Sequence, residues 1–327
     1  MSTSQKPLLT TDKLSTMLTD ITFVQTILLN KWIPANHRLP QPNGKGLSLK
    51  QAEFLACEKL EAFYGGAAGG GKSDALLMAA LQYVDTAGYT AVLFRKSYAD
   101  LALPEALMDR AITWLGGTEA HWNGKDKTFT FPSGAKLLFG YLSCEADKYR
   151  YQSAAFQFIG FDEETQFTES MYRYMFSRLR KLEGSEVPLR MRGASNPGNI
   201  GHGWVKRRFI DEGAKYGRVF VPAKLGDNPN LDRESYIKSL NNLDPVTRAQ
   251  LLNGDWDALA EGMFKRSWFT IVDDYPRDGA YARYWDLAAT EASKGKDPDW
   301  APGCKGVLKN GVFYVLEILG VSESPRE

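Results

Sequence analysis

The segment from Gly66 to Ser73 reads Gly-Ala-Ala-Gly-Gly-Gly-Lys-Ser and fits the spacing G-x-x-x-x-G-K-[ST]. A loop that wraps around a triphosphate must aim backbone N–H groups inward, and glycine permits both the turn and the close approach. Lys72 would place its ammonium beside the β- and γ-phosphates, and Ser73 would give its hydroxyl to Mg²⁺. The alternative is a glycine-rich surface loop that ends in Lys-Ser by chance. We predict a P-loop that binds ATP and Mg²⁺ through Gly66, Ala67, Ala68, Gly69, Gly70, Gly71, Lys72 and Ser73.

The sequence on either side of this loop supports the same interpretation. Residues Glu61 to Tyr64 form a short β-prone run, and residues Asp74 to Val84 are good helix formers. A helix that begins where the loop ends directs the positive end of its dipole at the phosphates.

A second group of candidate residues follows the apolar run from Ala155 to Phe161, which ends in Asp162, Glu163 and Glu164. Asp162 would hold Mg²⁺ through water, and Glu163 would orient and deprotonate the attacking water, with Glu164 as the substitute base. The alternative is an acidic turn between a strand and a helix, where the helix dipole favours a carboxylate. Together with the upstream P-loop, this triplet favours a nucleoside triphosphate hydrolase.

Two further positions could contact the nucleotide. Ser195 and Asn196 follow a third β-prone run and suit a sensor of the γ-phosphate, although Asn-Pro-Gly also favours a plain turn. Gln51 lies on a predicted helix shortly before the P-loop, where its amide could both donate to and accept from the adenine edge. An exposed helix glutamine is the commoner explanation of that residue.

The composition is that of an ordinary globular protein, with 327 residues of which 43% are hydrophobic and 24% charged. Because the formal net charge is only +1, nucleic-acid binding would need a local basic patch. The three cysteines show neither metal-site spacing nor an even-numbered disulfide set. No run approaches the roughly 20 apolar residues of a membrane span, so we expect no membrane partner.

Buried β-prone runs that alternate with helical segments predict an α/β fold, namely a P-loop NTPase core with a mostly parallel sheet flanked by helices. Residues 1–46 would form an N-terminal helical arm and linker, 47–260 the ATPase domain and 261–279 a connector. The arm contains a helix predicted over residues 12–29. This helix either packs on the main domain or docks a partner.

From residue 280 onward the pattern changes to three β-prone runs, 280–287, 301–308 and 312–319. The last two runs are joined by Asn-Gly, which is the strongest short hairpin signal. A meander of three strands does not make an independent mixed domain. We therefore expect residues 280–327 to be part of a domain that is cut short.

Several of these segments resemble the large terminase subunit of tailed bacteriophages, and the resemblance runs from Leu47 to about Leu319. It is carried by the helix LSLKQAEFLA, the loop GGAAGGGKS, the strand FIGFDEE, and the segments SNPGNIGHGWVKRRF, DNPNL and LNGDW. The elements SNPGN–GHGW and NGDW are more specific than the P-loop, which many unrelated NTPases share.

The resemblance implies a motor that hydrolyses ATP and translocates double-stranded DNA into a procapsid. Its implied partners are DNA, the portal protein of the procapsid, the small terminase subunit and further copies of the chain in a homo-oligomeric ring. The implied location is the host cytoplasm, transiently at the portal vertex. Basic clusters at residues 178–181 and 206–208 suit phosphate contacts, although such clusters are usually solvated faces.

The resemblance also implies a C-terminal nuclease of the RNase H type, in which carboxylates hold two metal ions. Asp286 in RYWDLA matches the first of these carboxylates, and a second divalent-metal site would form there only in a complete domain. Because the further acids of the family lie beyond Glu327, we expect this truncated RNase H-like part not to cut DNA.

Ring motors of this kind often take an arginine finger from a neighbouring subunit. Arg150 resembles the basic residue that precedes the Asp-Glu strand in the family, and Arg95 after another β-prone run is the alternative. Arg150 is equally well explained as a surface arginine. The rival functions are a P-loop helicase or DNA-repair ATPase, and an assembly module that binds nucleotide without hydrolysis.

Overall fold

The computed structural model describes residues 19–41, 45–181, 183–258, 269–286 and 301–321. They divide into two compact units, the first made of the described residues up to Ala258 and the second of those from Phe269 onward. The first part of the helix predicted over residues 12–29 lies outside the described residues, as do residues 261–268 of the predicted connector.

The first unit is built on one eight-stranded sheet in the order β3-β4-β5-β2-β6-β7-β1-β8. The six strands from β5 to β8 in this order are parallel, and β3 and β4 extend one edge as an antiparallel hairpin. The prediction of an α/β core with a mostly parallel sheet is therefore confirmed. The strands are β1 (Glu61–Gly66), β2 (Thr90–Arg95), β3 (His121–Asn123), β4 (Thr128–Thr130), β5 (Lys136–Tyr141), β6 (Phe158–Asp162), β7 (Arg190–Ser195) and β8 (Val219–Ala223).

Helices and helical turns of the described residues connect these strands. The α-helices are α1 (Ile21–Phe23), α2 (Ala35–Arg38), α3 (Leu49–Leu55), α4 (Lys72–Leu81), α5 (Tyr98–Ala102), α6 (Leu107–Leu115), α7 (Glu169–Met175), α8 (His202–Val205), α9 (Arg233–Leu240) and α10 (Pro245–Arg248). Helices α1, α8 and α10 continue as π-helical turns over Val24–Leu28, Lys206–Asp211 and Ala249–Asn253. Short 3₁₀ turns lie at Glu145–Tyr151, Glu164–Gln166, Phe176–Arg178, Gly213–Tyr216 and Leu225–Asp227.

Two apolar clusters form the core of the first unit, and strand β1 contributes to both. Its residues Ala62 and Tyr64 belong to the cluster that contains α4, whereas Phe63 belongs to the cluster that contains α7. Successive side chains of a strand point to opposite faces of its sheet. The sheet is therefore buried on both sides, which explains why its central strands are almost continuously apolar.

The N-terminal segment packs against the main domain. Phe23, Ile27 and Trp32 are 0–3% exposed and belong to the same cluster as α4. The Nε1 of Trp32 donates to Asp85 at 2.8 Å, and Asn30 donates to the Leu81 carbonyl at 3.0 Å. The sequence left open whether this segment packs on the main domain or docks a partner. Its described part packs on the main domain.

The second unit contains a three-stranded antiparallel sheet in the order β11-β10-β9, with β9 (Ala280–Trp285), β10 (Ala301–Lys309) and β11 (Val312–Val321). Asn310 and Gly311 both have positive φ, +50° and +75°, as a type I′ hairpin turn requires. Asp286 directly follows β9, and its backbone N–H donates to the Pro302 carbonyl at 2.9 Å. Its side chain is exposed.

Candidate nucleotide-binding site

The carboxyl ends of three neighbouring strands converge at one edge of the sheet. The predicted loop 66–73 follows β1, Asp162 ends β6, and Ser195 ends β7, which lies between the other two. In parallel sheets this edge is where ligands bind, because the strand ends and the following loops open there. The sheet order therefore brings together segments that are about 90 and 120 residues apart in the chain.

These segments line a cavity of about 240 Å³. The lining residues are Gly69, Gly70, Gly71, Lys72, Ser73, Asp74, Arg110, Glu163, Asn196 and Asn228. The cavity thus joins the glycine-rich loop to the acidic strand end and to the third polar segment.

Lys72 is a buried cation at this cavity, only 7% exposed. Its ammonium donates to the Ala67 carbonyl at 2.6 Å. Burial lowers the pKa of Lys72 to about 8, and the carboxylates of Glu163 and Asp162 partly oppose that change. Negative charge entering the cavity would stabilise the protonated ammonium, as a phosphate group does.

A hydroxyl and a carboxylate lie side by side at the start of α4. Ser73 Oγ donates to Asp162 Oδ1 at 2.9 Å, and Arg95 Nη1 donates to Asp162 Oδ2 at 2.9 Å. Hard oxygen atoms of this kind suit Mg²⁺, which normally completes its shell with water and phosphate oxygens. No group of three or more His, Cys, Asp or Glu that could hold a metal lies in the described ranges, so the fit requires those additional oxygens.

Glu163 occupies a strained position at the end of β6. Its φ of +52° lies in the left-handed region, which costs a non-glycine residue about 1–2 kcal/mol. Ser195 Oγ donates to Glu163 Oε2 at 3.3 Å, and Arg95 Nη1 lies 3.9 Å from Oε1. Burial raises the pKa of Glu163, and the Asp162 carboxylate raises it further. A glutamate with a raised pKa beside a glycine-rich loop has the properties expected of a general base.

Glu164 has a different environment, although it is the next residue. It is 0% exposed, and neither carboxyl oxygen has a hydrogen-bond partner in the part of the chain that the structure describes. A side chain at Gly193 in β7 would overlap Glu164 Oε2, so this carboxyl packs under the sheet and does not line the cavity. Burial, and then the Glu61 carboxylate, raise the pKa of Glu164 well above its ordinary value. It is therefore a poor substitute for Glu163 as a base.

The segment after β7 connects the loop to Glu163. Asn196 Nδ2 donates to the Gly66 carbonyl at 2.6 Å. Ser195 Oγ lies 2.7 Å from Thr165 Oγ1 in addition to its bond with Glu163. A displacement of any of these residues would therefore shift its hydrogen-bond partners.

A second connection runs through His202 and the segment LNGDW. His202 Nδ1 accepts from the Gly198 N–H at 2.8 Å, and its Nε2 lies 3.0 Å from the Trp256 carbonyl. Gly254 has a φ of +65°, and a side chain there would overlap the Ala67 amide nitrogen. The segment therefore packs directly on the glycine-rich loop.

The remaining predicted residues have different positions. Gln51 is 4% exposed, and its amide accepts from the Ser48 N–H and donates to the Gly71 carbonyl, at 2.9 and 3.0 Å. Its adenine contact stays a prediction. The side chain of Arg150 is 55% exposed, pairs with Asp147 at 3.4 Å and does not line the cavity. Asp286 belongs to the second unit.

Sequence reasoning missed four residues at this site. Asp74, Arg110 and Asn228 line the cavity, and Tyr64 donates to the Gly70 carbonyl at 2.9 Å. Asn228 belongs to the segment DNPNL, which carries part of the family resemblance, but the sequence assigns no function to this asparagine. Arg110 pairs with Asp74 across 36 positions of sequence, a contact that no local pattern indicates.

Comparison with known protein families gives one match that spans most of the chain. The model described as "Terminase large subunit, T4likevirus-type, N-terminal" matches residues 63–271. No curated protein sequence matches the chain.

Solved structures show the same fold at low sequence identity. The large terminase of a thermophilic bacteriophage has a TM-score of 0.54 and 16% identity, over 85% of this chain and 69% of that chain. The same thermophilic-phage protein in complex with ATP-γ-S gives 0.53 and 17%, over 84% and 68%. The large terminase of bacteriophage HK97 gives 0.52 and 14%, over 89% of this chain and 66% of that chain.

The contrasting environments of the two adjacent glutamates predict different effects of the same substitution. We expect Glu164→Gln to keep most nucleotide hydrolysis, because the neutral amide resembles the protonated carboxyl that burial favours. Steady-state phosphate release by this variant and the parent chain is the measurement. A loss as large as that of Glu163→Gln would mean that the Glu164 carboxyl reaches the reacting atoms.

The hydrogen bonds of His202 predict a pH-dependent stability. Burial lowers the pKa of His202, and protonation at Nδ1 would break the bond from Gly198. The unfolded chain therefore binds the proton first as pH falls below about 6.5, and the free energy of unfolding falls by up to about 1.4 kcal/mol per pH unit from this group. Denaturant unfolding of the parent chain and of His202→Gln, from pH 7.5 to 5.5, should show a smaller decline in the variant. Parallel curves would contradict the assignment.

Proposed function

This chain belongs to the large terminase subunit family, and from that premise we propose that it is the ATP-hydrolysing motor that packages viral DNA. The observation that carries the proposal is one shared cavity. Lys72 and Glu163 both line it, and Ser73 bonds to Asp162 at its edge. Phosphoryl transfer depends mainly on positioning and on charge neutralisation, and these four residues supply both.

In the proposed mechanism the phosphates lie against the loop amides and the Lys72 ammonium. Ser73 Oγ directly and Asp162 Oδ1 through water would hold Mg²⁺, which would supply positive charge beside the phosphates. This requires Ser73 to exchange its hydrogen bond with Asp162 for the metal. Arg95 keeps the Asp162 carboxylate oriented through its bond to Oδ2.

Glu163 would take the proton from the attacking water. Its raised pKa makes the carboxylate a stronger base than an exposed glutamate, since basicity rises with pKa. Ser195 fixes one carboxylate oxygen by donating to Oε2, which leaves Oε1 toward the cation of Arg95. The strained backbone at Glu163 supports this role, because such strain is concentrated at functional sites.

Ser195 and Asn196 are proposed as sensors of the γ-phosphate. Asn196 already bonds to Gly66 at the start of the loop, and Ser195 bonds to Glu163. A change at the γ-phosphate would alter both bonds, and the segment that continues to α8 would carry the displacement away from the site. This is how we propose that hydrolysis is coupled to movement of DNA.

Double-stranded DNA, the portal protein of the procapsid, the small terminase subunit and other copies of the chain in a ring are the proposed partners. Family membership supports them, and they act in the host cytoplasm under this proposal. Two of the thermophilic-phage terminase structures are complexes with ADP and with ATP-γ-S, which supports nucleotide binding by the shared fold. None of the described helices is both long enough and apolar enough to cross a membrane.

Asp286 is proposed as one metal-binding carboxylate of a nuclease part, since it directly follows β9 and its side chain is exposed. The three strands of the second unit supply the start of the sheet on which such a site would be built.

The central test separates binding from hydrolysis. We expect Glu163→Gln to lower the turnover number by about 10²- to 10⁴-fold, the usual loss when a general base is removed, with ATP affinity within a few-fold of the parent chain. Lys72→Ala should instead lose ATP affinity. Phosphate release and binding of a fluorescent ATP analogue are the two measurements.

The matched control for this test is Glu119→Gln, which neutralises a glutamate whose side chain is 72% exposed. It should behave as the parent chain in both assays. Near-normal turnover of Glu163→Gln would remove Glu163 as the base, and unchanged nucleotide affinity of Lys72→Ala would remove the cavity as the nucleotide site.

The position of Arg150 predicts activity in mixed assemblies. An exposed arginine that does not line its own cavity can act only on a neighbouring subunit. Mixing Arg150→Ala with Lys72→Ala should therefore restore part of the activity that each variant lacks alone, because some interfaces regain both groups. Phosphate release by the mixture under packaging conditions is the measurement. A mixture with no more activity than the sum of its components would exclude a trans-acting Arg150.

A further inference from the structure

Three consecutive glycines of the P-loop have carbonyl groups that accept hydrogen bonds from side chains outside the loop. The pairs are Asn228 Nδ2 with Gly69 O at 2.5 Å, Tyr64 OH with Gly70 O at 2.9 Å, and Gln51 Nε2 with Gly71 O at 3.0 Å. The three donors come from separate parts of the chain: the turn after β8, strand β1 and helix α3.

Because the peptide unit is planar, a contact that fixes the direction of a carbonyl also fixes the direction of the N–H of the next residue. In a trans peptide the C=O of one residue and the N–H of the next point in opposite directions, and the described chain has no cis peptide bond. A Gly69 carbonyl held toward the Asn228 amide therefore turns the N–H of Gly70 away from that amide. The same holds for the N–H groups of Gly71 and Lys72. All three of these residues line the cavity.

We propose that Asn228, Tyr64 and Gln51 are positioning residues that hold the P-loop amides toward the cavity before the nucleotide arrives. The proposal rests on the proposed function of this cavity as the ATP site. A run of three glycines has an unusually large choice of backbone conformations, so ordering it on binding would reduce affinity. Donors that fix the carbonyls in advance remove this cost, which is the general effect of preorganisation.

Each amide donor is itself held at its other end. The Oδ1 of Asn228 accepts from the Asn230 N–H at 2.9 Å. The Oε1 of Gln51 accepts from the Ser48 N–H at 2.9 Å. Both amide groups are thus fixed in orientation, with the NH₂ group toward the loop.

Tyr64 is held by packing. It is 0% exposed, and its ring lies 5.5 Å from the ring of Phe54, centroid to centroid. Burial raises the pKa of Tyr64, which keeps the hydroxyl protonated and able to donate. A buried carbonyl that loses such a donor has no water to replace it, so the Gly70 peptide would turn to find another partner.

The chain contains a closely matched control for Tyr64. Tyr89 is also buried, at 2% exposure, and its hydroxyl donates to the Ala80 carbonyl at 2.8 Å. Ala80 lies near the far end of α4, the helix that starts with Lys72. Tyr64→Phe and Tyr89→Phe therefore remove the same kind of bond, one from the loop and one from the helix behind it.

The first experiment compares these two variants of the full chain with a fluorescent ADP and a fluorescent ATP. We expect Tyr64→Phe to weaken both nucleotides about 3- to 10-fold, the effect of one lost hydrogen bond, because both ligands carry the β-phosphate that the amides face. Turnover at saturating ATP should change less than about 2-fold by the same reasoning, since the amides bind substrate and transition state alike. Tyr89→Phe should keep parent affinity with a similar fall in melting temperature.

The second experiment repeats the comparison at the turn after β8. Asn228→Ala removes the donor to Gly69, whereas Asn230→Ala removes a neighbouring side chain that bonds to Gly46 instead. We expect about a 3- to 10-fold loss of affinity in the first variant only. Parent affinity in both Tyr64→Phe and Asn228→Ala would overturn the inference while leaving the ATP site intact. Failure of the parent chain to bind either nucleotide would overturn the proposed function itself.

Discussion

The hydrogen bond between Ser73 and Asp162 depends on the order of the parallel strands. Ser73 follows β1 and Asp162 ends β6, and β7 lies between them, so the two side chains meet only because all three strands run the same way and end at one edge. A reversed strand would place one group at the opposite edge, a full strand length away. The sheet is buried between two apolar clusters, as parallel sheets usually are.

The same edge of the sheet also brings the charged groups of the site together. The cations of Lys72 and Arg95 oppose the carboxylates of Asp162 and Glu163 in a partly closed space, where charges interact more strongly than in water. The two adjacent glutamates have different positions. Glu163 has a left-handed backbone and lines the cavity, whereas Glu164 packs against Gly193 of β7, where burial raises its pKa.

Much of this arrangement could be predicted from the sequence, because the signals are local. Glycine spacing identified the loop, and apolar runs with polar ends identified strands β6 and β7. The Asn-Gly pair identified the hairpin between β10 and β11. What could not be predicted depends on distant contacts. The burial of Glu164 requires the missing side chain at Gly193, and the role of Tyr64 requires knowing that its hydroxyl turns toward Gly70. The sequence indicates that the Gln51 amide can form hydrogen bonds, but not that its partner is the Gly71 carbonyl of the loop.

The conformation of the glycine-rich loop therefore depends on its contacts with other segments as well as on its own sequence. Lys72 lines the cavity, whereas other groups of the loop bond to α3, β1, the turn after β8 and the segment around Leu251, whose carbonyl accepts from the Ala68 N–H at 2.7 Å. A glycine-rich loop is soft by itself, and these contacts make its shape depend on four other segments. The same contacts run in the other direction, so a nucleotide that changes the loop changes the positions of those segments. The proposed ATP-driven motor would need this kind of reciprocity, because free energy released at the phosphates would have to reach parts of the chain that never touch them.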